Sequence, residues 1–424
     1  MTAHALAKPR RRGACPGLSA PMATGDGLLV RLLPIGTMSL AAFTALCVAA
    51  RTHGNGVVEV TSRGSLQLRG LTASSAPPLA ATIAALGIAA EDGIPVHCNP
   101  LSGIDAGEIF DAGALAAQLR QALAERSMAS GLSPKVSIAI DGSGQLDLRT
   151  LAADIRLSAR VIDGSASLRV SAGGDEASAA DLGVIAPAEA IQTVVRLLEV
   201  LIARGRTARA RDVFAASGIG MEGPDKPDHD SAVVGRRNPI GMHLLGDGSF
   251  ACGVGLAFGH ADANTLERLV KAAETAGASG LRAAPGRTLL AIGLTPQTAA
   301  EFVAAAAQLG FIVRAEDPRR HVVACAGAPI CASAHIASRA LAPRIAAQAA
   351  SRLGAAFTIH ISGCAKGCAQ AAAAALTVVG TPEGCALVAH GTTRDQPFAV
   401  VPAEQLPIAI EKYVRKKNFE IENV

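Results

Sequence analysis

The chain reads as an α+β protein in pseudo-two-fold duplication, each half joining a β-α-β-β-α unit to a larger α/β domain. Three observations predict this. Gly25-Asp26-Gly27 and Gly246-Asp247-Gly248 open segments of the same pattern. Each segment runs through an apolar strand, an alanine-rich helical stretch (residues 40–52 and 263–277), two short strands around a polar tip, and a second helical stretch (78–86 and 297–309). The parts that follow also correspond. Val96-His97-Cys98-Asn99-Pro100, a helical stretch at 112–125 and a strand at 134–142 match Val323-Ala324-Cys325, a helical stretch at 335–353 and a strand entering Gly363-Cys364.

Taken in order, residues 1–19 hold Arg10-Arg11-Arg12 with no apolar run behind them, which reads as a flexible tail and not a secretory signal. Residues 20–90 form the first ferredoxin-like half-domain, by its element order. Its residues 57–71 read as a two-strand hairpin. Residues 91–207 make the first α/β domain, and 208–238, rich in Gly, Pro, Asp and charge, read as a linker. The second half-domain spans 239–312 and the second α/β domain 313–411, where the alanine run at 369–376 reads as a helix. Residues 412–424, charged and aperiodic, read as a tail. A repeat offset of more than two hundred residues marks duplication of a domain pair, not a solenoid.

Composition narrows the function classes. With 424 residues, no Trp, one Tyr and ten Phe, the core must be built from Ala, Leu, Val and Ile. A net charge of +4 without basic runs interleaved with aromatics gives no support for nucleic-acid binding and suits a small polyanionic ligand. No apolar stretch is long enough to span a bilayer. Nine cysteines in so long a chain do not form a secreted disulfide framework, and the expected location is cytoplasmic.

Four of those cysteines carry the chemistry. Cys325 and Cys331 are spaced C-x5-C, Cys364 and Cys368 C-x3-C, with Gly327, Gly363 and Gly367 beside them. Four thiolates are what a cubane 4Fe–4S cluster needs. A structural zinc site, which favours tighter C-x2-C pairs, and unrelated buried thiols are the alternatives. Cys364 and Cys368 at the start of the helix expected at 369–376 would share one face and offer free N–H groups to a cluster. Cys98 aligns with Cys325, but nothing in the first half replaces the other three thiols. Cys15, Cys47, Cys98, Cys252 and Cys385 read as small buried hydrophobes, and Asp105, Glu108 and Asp111 as helix-starting or capping residues.

The two cysteine pairs, the duplication, and the Thr61-Ser62-Arg63 and Gln67 pattern resemble the nitrite/sulfite reductase family over about residues 20–415. The resemblance implies a cluster-free first domain and a second domain whose four thiolates hold a 4Fe–4S cluster. It also implies that Cys368 bridges toward a tetrapyrrole faced by Arg31, Arg63, Gln67 and Lys135. The chain departs from that pattern in its cations. Ser137 stands where a second lysine is expected, residues 94–99 contain no arginine, and Ala365-Lys366 replaces Pro-Asn. Ala284 replaces a threonine in the second hairpin, although Arg282, Pro285 and Arg287 persist. A pocket short of two cations stabilises reduction of a small oxyanion poorly.

One branch, the precorrin-3B synthases of aerobic cobalamin biosynthesis, is similar in more places. These are Ser362-Gly363-Cys364-Ala365-Lys366-Gly367-Cys368-Ala369, Cys15-Pro16-Gly17, and Asn99-Pro100-Leu101-Ser102-Gly103-Ile104-Asp105. That branch implies a monooxygenase that takes precorrin-3A and O2, hydroxylates C20 and closes a γ-lactone, using the cluster, a mononuclear non-haem iron and an NADH-linked electron donor. Arg31, Arg63, Arg69, Arg282 and Arg287, with Lys366, would hold the substrate carboxylates. No motif identifies the iron ligands or a catalytic residue; His53, His97, His335 and His360 are the histidines near the aligned segments. No G-x-G-x-x-G follows a strand, so reducing equivalents would come from a partner. A siroheme-dependent sulfite or nitrite reductase is the second reading, and a non-catalytic cluster-bearing electron carrier a third.

Overall fold

A computed structural model describes residues 16–88, 93–214, 238–349, 357–370 and 372–421. The first half-domain sheet has the order Met22–Thr24, Gly27–Leu32, Leu66–Leu71, Val57–Val60, and the second Gly241–Leu244, Phe250–Gly255, Thr288–Leu294, Gly280–Ala284. The two orders are the same, so the duplication is visible in topology.

The half-domains exchange edges. His260–Asp262, just ahead of helix Ala263–Thr275, pairs antiparallel with Val57–Val60. In the symmetric position Met38, ahead of helix Leu40–His53, exchanges backbone hydrogen bonds of 2.9 and 2.8 Å with Leu281. Both otherwise open sheet edges are thereby closed. The hairpin tips meet at a bridge between Arg63 and Pro285. A single apolar core runs through both units, joining Phe43, Leu46, Val58 and Leu68 to Leu266, Leu269, Leu289 and Phe302.

Helix Leu40–His53 shows how the sequence builds this core. Ser39 caps it by accepting from the Ala42 N–H at 3.2 Å, and Arg51 and His53 complement the C-terminal carbonyls. Phe43, Leu46, Cys47 and Ala50, at helical spacing, form its buried face.

The larger domains repeat one another too. In the first, Val96–Cys98, Ile138–Asp141 and Ala153–Ile162 are parallel, and Ser165–Gly174 and Ala180–Ile185 continue the sheet antiparallel. In the second, Val322–Ala324, Ile359–Ser362 and Ala374–Thr381 are parallel, followed antiparallel by Gly384–Gly391 and Ala399–Val401. No described helix is long and apolar enough to cross a membrane.

Three expectations need correction. The alanine run after Cys368 is not helical; Ala374–Thr381 is a strand pairing on both sides. Buried Leu376, Val378 and Val379 give it a sheet interior to fill, and tertiary pairing overrides alanine's weak helical preference. Residues 412–421 are not a tail but continue helix Leu406–Ile421. Leu406, Ile410 and Val414 line one narrow buried stripe, too sparse to stand out among charged neighbours. The expected linker begins late. Ala210–Phe214 is a short helix whose Ala210 and Phe214 join the first α/β core, and Arg209 grips buried Asp154 at 2.8 and 2.9 Å. Residues 215–237, like Cys15 and the basic tail, lie outside the described residues.

Candidate functional site: thiols, a charged sheet face and a cavity

Adjacent parallel strands deliver the thiols. Cys325 follows Val322–Ala324 and Cys364 follows Ile359–Ser362, at the carboxyl ends where open α/β sheets hold ligands. The Gly363 N–H donates to Cys325 Sγ at 3.0 Å, and Ser338 Oγ lies 3.6 Å from that sulfur. Cys331 is brought in by its loop, which docks on the half-domain through the Ala332 N–H to Gly25 O bond of 2.8 Å. A Cβ at Gly25 would stand 2.3 Å from Cys331 Sγ, so only glycine lets this sulfur approach. Gly367 takes φ +58 ahead of Cys368, which is exposed.

None of the four cysteines is in a disulfide. Burial raises the Cys364 thiol above its ordinary value; the Lys366 N–H pulls it down, while Cys325 and Cys331 push it up. Three sulfurs are therefore within electrostatic reach of one another. A cubane takes one thiolate per iron, so its ligands ring a cluster-sized space. Four sulfurs outside any disulfide on two neighbouring loops, one accepting an N–H and one crowded against a glycine, are a donor set that fits that group. The N–H donor shown, that of Gly363, comes from a loop, and Ala374–Thr381 beyond Cys368 is a strand. Among the described residues no three His, Cys, Asp or Glu, these cysteines included, converge around a single ion; a cubane spreads its ligands farther apart, one thiolate per iron.

The second component is the outer face of the first half-domain sheet. Arg31, Gln67 and Glu59 are direct cross-strand neighbours, and Arg69 lies two residues beyond Gln67 on the same face. With its amide oriented to satisfy both sides, Gln67 donates to Glu59 Oε2 at 3.0 Å and accepts from Arg31 at 2.7 and 2.9 Å. Arg69 holds Asp26 through two bonds of 2.8 Å and reaches Glu59 at 3.4 Å. Arg339, in helix Ser338–Ala349 behind the thiol loop, closes on Glu59 at 2.6 Å. Cys368 adds to the field at Arg69, and Cys325 to that at Arg339. A charged layer thus runs from the thiols along the sheet.

At its other end lies a cavity of about 150 Å³ between the hairpin tips and the first α/β domain. Arg63, His97, Cys98, Asn99, Arg120 and Arg282 line it. Burial, reinforced by Arg63, Arg120 and Arg31, pushes the His97 imidazole down to about 3, so it is neutral throughout the physiological range.

The residues expected from sequence separate accordingly. Arg31 and Gln67 are in the charged layer, and Arg63 is in the cavity. Arg282 lines the cavity while tying the second half-domain to the first α/β domain, bonding Thr37 Oγ1 at 2.6 Å and the Pro100 and Ser102 carbonyls at 3.1 Å. Arg287, at φ +63, lies against Gly259; burial pushes its guanidinium down to about 10 against the pull of Glu59. Lys135 is exposed and does not line the cavity. Lys366 is exposed and donates to Ser333 at 2.8 Å. Cys47, Cys252 and Cys385 are fully buried in the core, whereas Cys98 lines the cavity.

His360 is buried in the strand leading to Cys364. Asp111 caps its helix, and Glu108 and Asp105 accept loop N–H groups. The sequence reading missed Asp26, Glu59, Arg120 and Arg339. Glu59 was detectable, because it continues the polar alternation of Gln67 and Arg69. Arg339 carried no local signal.

The family model for the nitrite/sulfite reductase ferredoxin-like half domain matches residues 20–86. A precorrin-3B synthase from Sinorhizobium sp. is 37% identical over 406 residues, covering 96% of this chain and 88% of that protein. A ferredoxin–nitrite reductase from Synechococcus elongatus is 23% identical over 402 residues, covering 85% of this chain and 77% of its own length. The structure of Mycobacterium tuberculosis NirA superposes with a TM-score of 0.72 at 18% identity, covering 92% of this chain and 80% of that one. That likeness establishes the fold.

Proposed function

Because the chain belongs to the nitrite/sulfite reductase family, in its precorrin-3B synthase branch, we propose that it is an O2-dependent monooxygenase converting precorrin-3A to precorrin-3B. The proposed reaction hydroxylates C20 and closes a γ-lactone with the ring A acetate. One oxygen atom goes to the substrate, and the other leaves as water with two electrons and two protons from an external, NADH-linked donor. The supporting observation is the arginine-rich layer, bonded at one end to Arg339 beside the thiol loop and felt at the other by His97 in the cavity.

A 4Fe–4S cluster held by Cys325, Cys331, Cys364 and Cys368 would supply one-electron transfer beside the substrate. The chain's own residues bind and orient. Arg63 and Arg120 line the cavity where a polycarboxylate would bind, Arg120 while donating to the Val96 carbonyl at 2.6 Å. His97, kept neutral, offers the substrate a hydrogen bond without adding charge. With Ser137 in place of a lysine and neutral His97 in the cavity, the site has fewer cations with which to stabilise nitrite or sulfite reduction.

Anaerobically purified protein incubated with precorrin-3A and O2 is expected to yield precorrin-3B, and its acid extract to contain no siroheme. A Soret band with viologen-driven nitrite or sulfite reduction would replace this reading by the reductase one. A cluster with neither activity would leave an electron carrier.

Arg63→Ala keeps the backbone bridge to Pro285 but removes the guanidinium. Losing a charge-assisted hydrogen bond costs about 1.5–3 kcal/mol, so precorrin-3A should bind roughly tenfold to a hundredfold more weakly. Titration should show that loss with the cluster absorbance unchanged; unweakened binding would place the substrate elsewhere.

A further inference from the structure

One interaction crosses from the thiol-bearing domain to the sheet face that meets the cavity. Arg339 follows Ser338, whose hydroxyl is 3.6 Å from Cys325 Sγ, and its guanidinium lies 2.6 Å from Glu59 Oε1. Both side chains are largely withdrawn from water, at 13% and 17% exposure, so solvent screens them little. The Arg339 Nε is buried and makes no hydrogen bond. The other oxygen of Glu59 takes Gln67 and Arg69, and Gln67 passes the chain of bonds to Arg31. A strip of hydrogen bonds therefore connects the residue next to the thiol loop with Arg31, whose charge is felt at His97 in the cavity.

The charges along it do not balance. Among the described residues Arg69 and Arg339 bond to Asp26 and Glu59, and buried Arg287 feels the charge of Glu59, so three cations meet two carboxylates in a poorly hydrated layer. Such an excess stabilises an anion beside it. The nearest chemistry that becomes more negative in use is a thiolate-bound cluster, which gains one charge on reduction.

We propose that Arg339 and Glu59 together set the reduction potential of a cluster bound at Cys325, Cys331, Cys364 and Cys368. Arg339 is a positioning residue whose cation favours the reduced cluster, and Glu59 is the counter-charge that limits that effect while linking it to the substrate-facing sheet. The proposal rests on the cluster reading above. Hydrogen bonds and charge near the sulfurs are among the levers that tune such potentials.

The two residues must act with opposite signs, and that distinguishes the idea from simple bracing. Arg339→Met removes a cation, makes reduction harder and moves the midpoint more negative. Glu59→Gln removes an anion and moves it more positive. Arg339→Lys keeps the charge and should stay near the parent. A tenfold change in the one-electron equilibrium for each of the first two is about 59 mV, which an EPR-monitored titration of the purified holoprotein resolves.

Iron and sulfide content are measured on every variant. Opposite shifts with a full cluster support the proposal. Shifts of the same sign, or none, at full occupancy overturn it. If Arg339→Met loses its cluster, the other two variants decide: Glu59→Gln must move positive and Arg339→Lys must not move. Parent protein lacking iron and acid-labile sulfide would overturn the cluster reading and this inference together.

Discussion

Cys364→Ser should purify colourless and without turnover, whereas Cys252→Ala should keep its brown absorbance. Both residues are free cysteines in strand-rich surroundings, and their placement separates them. Cys364 sits in a loop beyond a parallel strand, partly buried, and its thiol is raised by that burial and then by Cys325 and Cys331 nearby. Cys252 is wholly buried inside the half-domain core, where desolvation pushes its thiol up to about 12. A thiol that hard to ionise behaves as a small hydrophobe and does not ligate metal.

Serine at 364 preserves volume and the Gly363 contact with Cys325 but offers an alcohol that ionises far less readily than a thiol. One iron then loses its protein ligand. Absorbance near the cluster band, with iron and sulfide analysis, reads the result. Full colour in Cys364→Ser would remove that residue from the ligand set, and bleaching in Cys252→Ala would show that colour reports folding and not ligation.

What was legible in the sequence follows from how local each signal is. Helix Leu40–His53 has its cap, its apolar stripe and its basic last turn within one window. The hairpin Val57–Val60 and Leu66–Leu71 declares itself by alternation. The duplication is legible because two windows repeat the same order.

The strand Ala374–Thr381 was not. Its alanines favour a helix in isolation, and only pairing with Ile359–Ser362 and Gly384–Gly391 makes extended backbone the better solution. The site divides in the same way. The cysteines announce themselves by spacing and Arg63 by its hairpin tip. Arg339 becomes meaningful only when the second α/β domain is laid against a strand 280 positions away in sequence. Lys135, matched by position alone, ends in solvent because nothing in its segment compels it inward.

Arg69→Met is expected to cost more stability than any surface change, and to lose most at neutral pH. The Arg69–Asp26 pair is bidentate at 2.8 Å, with side chains 7% and 2% exposed. Removing one member of such a pair leaves a buried charge uncompensated, typically at about 3–5 kcal/mol. The pH dependence follows from Asp26. Burial by itself would raise its carboxyl, but the Arg69 hydrogen bonds and charge, with the Thr24 hydroxyl, hold it below the ordinary value.

A carboxyl depressed in the folded state contributes stability that is full above its unfolded value, about 3.9 for Asp, and is lost as pH falls through the folded value. Without Arg69, burial is opposed only by the Thr24 hydroxyl and the local backbone, and the carboxyl rises. The variant then loses stability as pH climbs through that raised value, so the gap from the parent is widest at neutral pH and narrows on acidification. Urea melts across that range test this; a gap independent of pH would mean that Arg69 acts through packing and not through its charge.

Pairing Arg69→Met with Asp26→Asn should restore part of the loss, because no bare carboxylate remains at Asp26. Asp26 lies between Gly25, which touches Cys331, and Gly27, so the single variant should also hold its cluster less firmly than the double. Stability and iron retention should therefore fall and recover together across the three proteins.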